Sequence, residues 1–141
     1  MIWQTGKTTA EQYKAVAEGK GNIWVNDFIT DMDKAYAAAD IVISRAGAMS
    51  VAELCVTKKA VVFVPFPHAA EDHQTVNAKL LVDNKAALMV KDNEAKEKLV
   101  SMVVSLAKDS NLQNELKNNI AAFAITDADM TVAKKVLEVI K

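Results

Sequence analysis

The chain has 141 residues, 51% of them hydrophobic, with 17 basic and 18 acidic side chains and a formal net charge of −1. That length bounds it to one domain or a piece of a larger one, long enough to bury roughly two-thirds of its unfolded surface in a true core. The balanced charge gives no reason to expect a nucleic-acid partner, and a single cysteine, Cys55, excludes an intramolecular disulfide framework and suits a reducing cytosol. No apolar run approaches the ~18 residues of a membrane span and no signal peptide opens the chain, so neither spanning nor export is expected.

In chain order, Met1-Ile2-Trp3-Gln4-Thr5 reads as the end of a strand, and after Gly6-Lys7 the pattern Thr8-x-x-Glu11 reads as a capping box. The helix it opens carries Tyr13, Val16 and Ala17 on one face and stops in Glu18-Gly19-Lys20-Gly21. Ile23-Trp24-Val25 is a second short strand, running through Asn26 and Asp27 to Phe28-Ile29. Asp31 is expected to cap the next helix, with Met32, Ala35, Tyr36 and Ala39 on one side. Ile41-Val42-Ile43 is short, apolar and β-branched, as a strand buried on both faces would be. It turns through Arg45-Ala46-Gly47 into a helical segment, Ala48 to Val56.

Ala60 to Pro65 is the strongest strand signal. Pro65 and Pro67 cannot extend it, because proline lacks a ladder donor, so Pro65 to Asp72 is predicted as a loop at the strand's carboxyl end. A helix over His73 to Asn84 is expected to turn Val76, Leu80 and Leu81 inward, and Ala86 to Val90 forms a last strand. The remainder is helical in three stripes: Leu99, Met102, Val103 and Leu106; then Leu112, Leu116, Ile120 and Phe123 behind a Ser110-x-x-Gln113 cap; then Val132, Val136, Leu137 and Ile140. All three read as core or domain-packing faces, not as a lipid-binding surface.

The alternation β-α-β-α-β-α-β-α-β predicts an α/β fold, a doubly wound, Rossmann-like parallel sheet with right-handed crossovers, followed by the carboxyl-terminal helices. Ligands of such sheets bind at the carboxyl ends of the strands. Two loops should therefore meet there, Ser44 to Ser50 and Pro65 to Gln74. In the first, a strand feeds a small-residue turn and a helix, whose unpaired N–H groups and dipole favour an anion, most often a phosphate. Gly47 removes the Cβ that would keep a ligand away, and Glu53 is placed to accept hydrogen bonds from a vicinal diol such as a ribose. Ser50-x-x-Glu53 is equally a capping box, and one glycine is neither a dinucleotide fingerprint nor a P-loop. Arg45, the only arginine in the chain, sits in this turn, either beside a ligand or in an ion pair that holds the turn. Gln74 either bonds solvent at a helix start or directs its amide, both donor and acceptor, at a sugar hydroxyl. The convergence of the two loops points to a nucleoside diphosphate compound.

Other chemistries are weaker. His68, Glu71, Asp72 and His73 match no standard metal spacing, so neither metal nor cofactor is expected. Cys55 with a histidine lacks a third, orienting residue, and Cys55 reads as a small core residue.

Ser44-Arg-Ala-Gly-Ala-Met-Ser-Val-Ala-Glu53, Val64-Pro-Phe-Pro-His68 and Asp72-His-Gln-Thr-Val-Asn-Ala78 resemble the carboxyl half of the MurG family, as do Trp3-Gln-Thr-Gly-Lys7 and Asp27-Phe-Ile29. That family consists of the bacterial UDP-N-acetylglucosamine transferases that complete the lipid-linked peptidoglycan precursor. The resemblance implies the carboxyl-terminal, UDP-sugar donor-binding domain of an inverting GT-B glycosyltransferase. By the same resemblance Ile29 would meet the uracil through its backbone. Gly47, Ala48, Met49, Ser50, Val51 and Ala52 would line the diphosphate and sugar, Glu53 would hold the ribose hydroxyls, and Gln74 those of N-acetylglucosamine. His73 stands where some members carry a second glutamine; it and Arg45 are further candidates. A helix N-terminus can stabilise the leaving diphosphate without a metal.

The resemblance also implies what lies elsewhere. The family's amino-terminal acceptor domain, its proposed base, and the first strand and glycine-rich turn of the donor domain have no counterpart in residues 1–141, so this span alone is expected to bind donor without catalysing transfer. The lipid-linked muramyl-pentapeptide acceptor and peripheral attachment to the cytoplasmic face of the inner membrane belong to the full-length parent. Competing expectations are a related UDP-sugar transferase with another acceptor, a non-catalytic donor-binding subunit of a split GT-B enzyme, and an α/β interaction domain with a degenerate site.

Overall fold

The computed structural model describes residues 1–67 and 72–140. They form two compact units, Met1–Ala39 and Asp40–Lys141. The first holds β1 (Ile2–Gln4), a 3-10 turn (Lys7–Thr9), α1 (Ala10–Ala17), β2 (Trp24–Asn26) and α2 (Met32–Ala38). Strands β1 and β2 run parallel, with Ile2 opposite Trp24 and Gln4 opposite Asn26. The Trp3 and Tyr13 rings pack at 4.6 Å between centroids and fasten α1 over β1. The Thr8/Glu11 capping box does not form, because the 3-10 turn absorbs Lys7–Thr9 and moves the helix start to Ala10. Thr9 stands at the N-cap, and its hydroxyl donates to the Thr5 carbonyl at 2.8 Å instead of receiving a helix N–H. Asp31 does precede α2, but its carboxylate pairs with Lys34 at 2.7 Å while its carbonyl accepts the first helical N–H groups.

The second unit holds β3 (Ile41–Ser44), α3 (Ala48–Thr57), β4 (Ala60–Phe63), α4 (His73–Asp83), β5 (Leu88–Met89), a 3-10 turn (Asp92–Glu94), α5 (Ala95–Lys108), α6 (Ser110–Ala121) and α7 (Ala128–Val139). Its sheet is parallel with β4 in the middle: Ile41 pairs with Ala60, Ser44 with Phe63 and Val62 with Leu88. The expected alternation of strand and helix is therefore present. Hydrogen bonding divides the five strands into a sheet of two and a sheet of three. Every residue of β4 is inaccessible to solvent, as an apolar strand covered on both faces should be. Ala60 and Val62 meet Val90, Leu106 and Leu116, with Leu99, Met102, Val103 and Leu112 packed around them. The α5 and α6 stripes are thus core faces, as the spacing indicated.

Three expectations fail. Ile43 is 48% exposed, so β3 is not covered on both faces as its composition suggested. On α4 the inward face is Gln74, Asn77, Ala78 and Leu81, spaced three, four and seven residues apart; Val76 and Leu80 lie on the opposite face and are more than half exposed. Helix α6 is capped by Asp109, not Ser110: its carboxylate accepts the Leu112 N–H at 2.9 Å. Helix α7 buries none of its residues, and Val132, Val136, Leu137 and Ile140 are all exposed, so of the two readings of its stripe, core or domain-packing face, the core one does not apply within this chain. A helical stripe shows which face is apolar, not that anything covers it.

Candidate functional site

Two loops leave the carboxyl ends of β3 and β4, and side chains from α4 bind them together. Gln74, in the first turn of α4, uses Oε1 to accept the Ala46 N–H at 3.1 Å and the Phe66 N–H at 3.0 Å. Two converging donors fix the orientation of the amide, oxygen toward the loops and nitrogen away. One turn along, Asn77 donates from Nδ2 to the Ala46 carbonyl at 3.1 Å. Ala46 is fully buried, so these side chains satisfy both backbone groups of a residue that water cannot reach. From the other side, Arg45 Nη1 donates to the carbonyls of Val64 at 3.1 Å and Pro65 at 3.3 Å, and pairs with Asp92 beyond β5. Its guanidinium lies 5.5 Å from the centre of the Phe66 ring.

This scaffold places the start of α3. Gly47 is the N-cap residue, and its carbonyl accepts the Val51 N–H at 2.9 Å. Among the described residues no side chain caps the helix. The capping-box reading of Ser50 and Glu53 fails, because the helix begins at Ala48, which puts Ser50 in its first turn and Glu53 a turn further on. Gly47 has φ −65° and ψ 148°, open to any residue, and a Cβ built there would meet no atom within 4 Å. Neither backbone conformation nor packing requires glycine. The space in front of it is open.

Around that opening Ala48, Met49, Ala52 and Glu53 are exposed and Ser50 and Val51 half-buried. His73 is exposed at the first position of α4. The expected meeting of Ser44–Ser50 with Pro65–Gln74 is thus observed for the described residues, while His68 and Glu71 of the weak metal set lie outside them. Asp72, from the same set, receives the Thr75 hydroxyl at 2.6 Å. Ile29 belongs to the first unit. Its N–H is committed to Gln4 Oε1 at 2.8 Å, so a nucleobase contact there would run through the carbonyl. Cys55 is buried on α3, and desolvation raises its thiol pKa above the ordinary 9.0, which makes it a core residue and not a nucleophile. Beside Asp92, Glu94 is held below its ordinary range, first by the hydrogen bond and charge of Lys98 and more weakly by Lys91.

Asn77, Phe66, Asp92 and Gln4 were not singled out from sequence. Asn77 had a signal, since three residues after Gln74 is the same helix face. Asp92 had none, being 47 residues from Arg45.

Residues 1–133 match the profile of the Glycosyltransferase family 28 C-terminal domain. The chain belongs to that family. It is 47% identical over 140 residues to the UDP-N-acetylglucosamine–N-acetylmuramyl-(pentapeptide) pyrophosphoryl-undecaprenol N-acetylglucosamine transferase of Bacteroides thetaiotaomicron, covering 97% of this chain and 38% of that protein. The enzyme of the same name from Cytophaga hutchinsonii is 46% identical, over 99% and 37% of the two chains. The fold superposes on the crystal structure of Acinetobacter baumannii MurG with a TM-score of 0.85 and 34% identity, covering 97% of this chain and 42% of that one. The chain therefore spans well under half the length of the relatives it matches.

Proposed function

We propose that this chain is the donor half of an inverting N-acetylglucosaminyltransferase and binds UDP-N-acetylglucosamine at the start of α3. The observation that carries the reading is the opening over Gly47: a helix N-terminus that no described side chain caps, a glycine that the fold does not require, and a part-buried clamp holding the turn in place. Backbone N–H groups of Ala48, Met49 and Ser50 would receive the diphosphate, with the α3 dipole behind them. The same groups would stabilise the charge that develops on the leaving diphosphate, with no metal needed for that role. Gln74 contributes from its amide nitrogen, since its oxygen already holds Ala46 and Phe66, and so would donate to sugar hydroxyl oxygens. Glu53 would accept from the ribose diol.

The relatives are named for transfer to a lipid-linked muramyl-pentapeptide acceptor, and we assign the same acceptor to the full-length parent. The acceptor site, the general base and peripheral attachment at the cytoplasmic face of the membrane would reside in the portion of the relatives that this chain does not span. Among the described residues no helix is long and apolar enough to cross a membrane. The test is an amide-resolved NMR titration with UDP-N-acetylglucosamine, repeated with Glu53→Ala. Shifts at Gly47 to Glu53 and near Gln74, weakened by the substitution, are expected. Their absence, in this chain and in the full-length parent alike, would reject the donor site.

A further inference from the structure

Arg45 carries the only guanidinium in the chain and stands one residue from the clamped Ala46. A cation beside an anion site invites the reading that it grips phosphate. The contacts argue otherwise. One of its nitrogens is already committed to the Val64 and Pro65 carbonyls, and Asp92 neutralises its charge. Phe66, whose ring faces the guanidinium, gives its own N–H to Gln74, and Gln74 in turn holds the Ala46 N–H. The contacts therefore close a ring: Arg45 to the loop after β4, that loop to Gln74, Gln74 to Ala46, and Ala46 back to Arg45 through one peptide bond. Asp92 adds the segment after β5, so the carboxyl ends of all three strands of the sheet are joined at one side chain.

We propose that Arg45 and Asp92 are positioning residues, whose ion pair on the Phe66 ring holds the Ala46–Gly47 turn in the conformation that presents the α3 N-terminus to a diphosphate. The inference rests on the donor-site reading above. It makes Arg45 act through the turn and not on the ligand. A phosphate-gripping arginine behaves in the opposite way: removing Asp92's charge would release it and tighten binding. Arginine suits the positioning role because its planar group packs against a ring while its edge hydrogen-bonds carbonyls, which a compact ammonium does poorly.

The experiment uses Asp92→Asn, Arg45→Met and the double variant of the 141-residue chain. Two quantities are read: hydrogen exchange at the Ala46 and Phe66 amides, and the dissociation constant for UDP-N-acetylglucosamine. Each single variant is expected to speed exchange at those two amides and weaken binding by about fivefold, the upper end for a half-exposed ion pair. The double variant is expected to be no worse than either single one. Unchanged or tighter binding in Asp92→Asn would overturn the inference in favour of direct phosphate contact, and additive losses would overturn the coupling of the pair. If the unsubstituted chain and its full-length parent bind no UDP-sugar, the donor-site reading fails. Accelerated exchange at Ala46 and Phe66 in Asp92→Asn would then still uphold the pair's hold on the turn, and unchanged exchange would remove that as well.

Discussion

Helices α3 and α6 solve the same problem differently. Each begins with backbone N–H groups that have no partner inside the helix. At α6 the answer is local: the Asp109 carboxylate takes the Leu112 N–H, the Asp109 carbonyl takes that of Gln113, and the Gln113 side chain reaches back to the Leu106 carbonyl. At α3 no side chain among the described residues caps the helix, and the turn before it is instead held by Gln74 and Asn77, 28 and 31 residues away from Ala46. A missing side-chain cap is not itself distinctive, since α1, α5 and α7 lack one too. What sets α3 apart is long-range support behind a turn where, among the described residues, a Cβ on Gly47 would meet no atom. One start is closed by its own side chains; the other is the one proposed above to receive a ligand.

Substitution can break that contrast at its strongest point. Gln74→Ala strips the partner from a buried N–H and a second loop N–H, and is expected to cost about 1–3 kcal/mol in chemical denaturation and to abolish donor binding. A loss below ~0.5 kcal/mol would show that the clamp is dispensable. Asp109→Ala should cost about 1 kcal/mol, the usual value of an N-cap carboxylate, with the affinity for UDP-N-acetylglucosamine unchanged. Weakened binding there would mean that the two helix starts are not independent. The finest test is Gly47→Ala. The backbone conformation suits alanine and its Cβ meets nothing, so stability is expected to stay within ~0.5 kcal/mol. If the proposed donor site is right, affinity should fall on the order of tenfold as the methyl group enters the space proposed for the diphosphate. A stable variant that binds as before would show that the opening is not where the ligand sits.

Much of this arrangement was legible from residues alone, and the failures share a cause. Pro65 and Pro67 had to end a strand, and the small residues after Ile43 had to form a turn, because both follow from backbone chemistry within a few positions. The α5 and α6 stripes were read correctly because long amphipathic repeats average over local error. Of the three apolar residues expected inward on α4, Leu81 is buried while Val76 and Leu80 face away, so apolarity alone does not mark the packed face. The polar pair Gln74 and Asn77 marked the inward face, since the clamp needed amides there. The Ser50/Glu53 and Thr8/Glu11 capping boxes failed because a helix start three residues earlier (Gly47 for Ser50) or one residue later (Thr9 for Thr8) leaves the motif present and its geometry absent.

The sequence by itself determined the order of strands and helices, the two loops that meet, and the family, because each depends on local patterns or on motifs contiguous in the chain. Only the tertiary structure decided that Gln74 gives its oxygen to the scaffold, that Arg45 is neutralised by Asp92, and that the space over Gly47 is open. Those facts depend on which side chains folding brings together across tens of residues. Hydrogen bonds and charges act over a few ångströms of space, and distance along the chain does not report it.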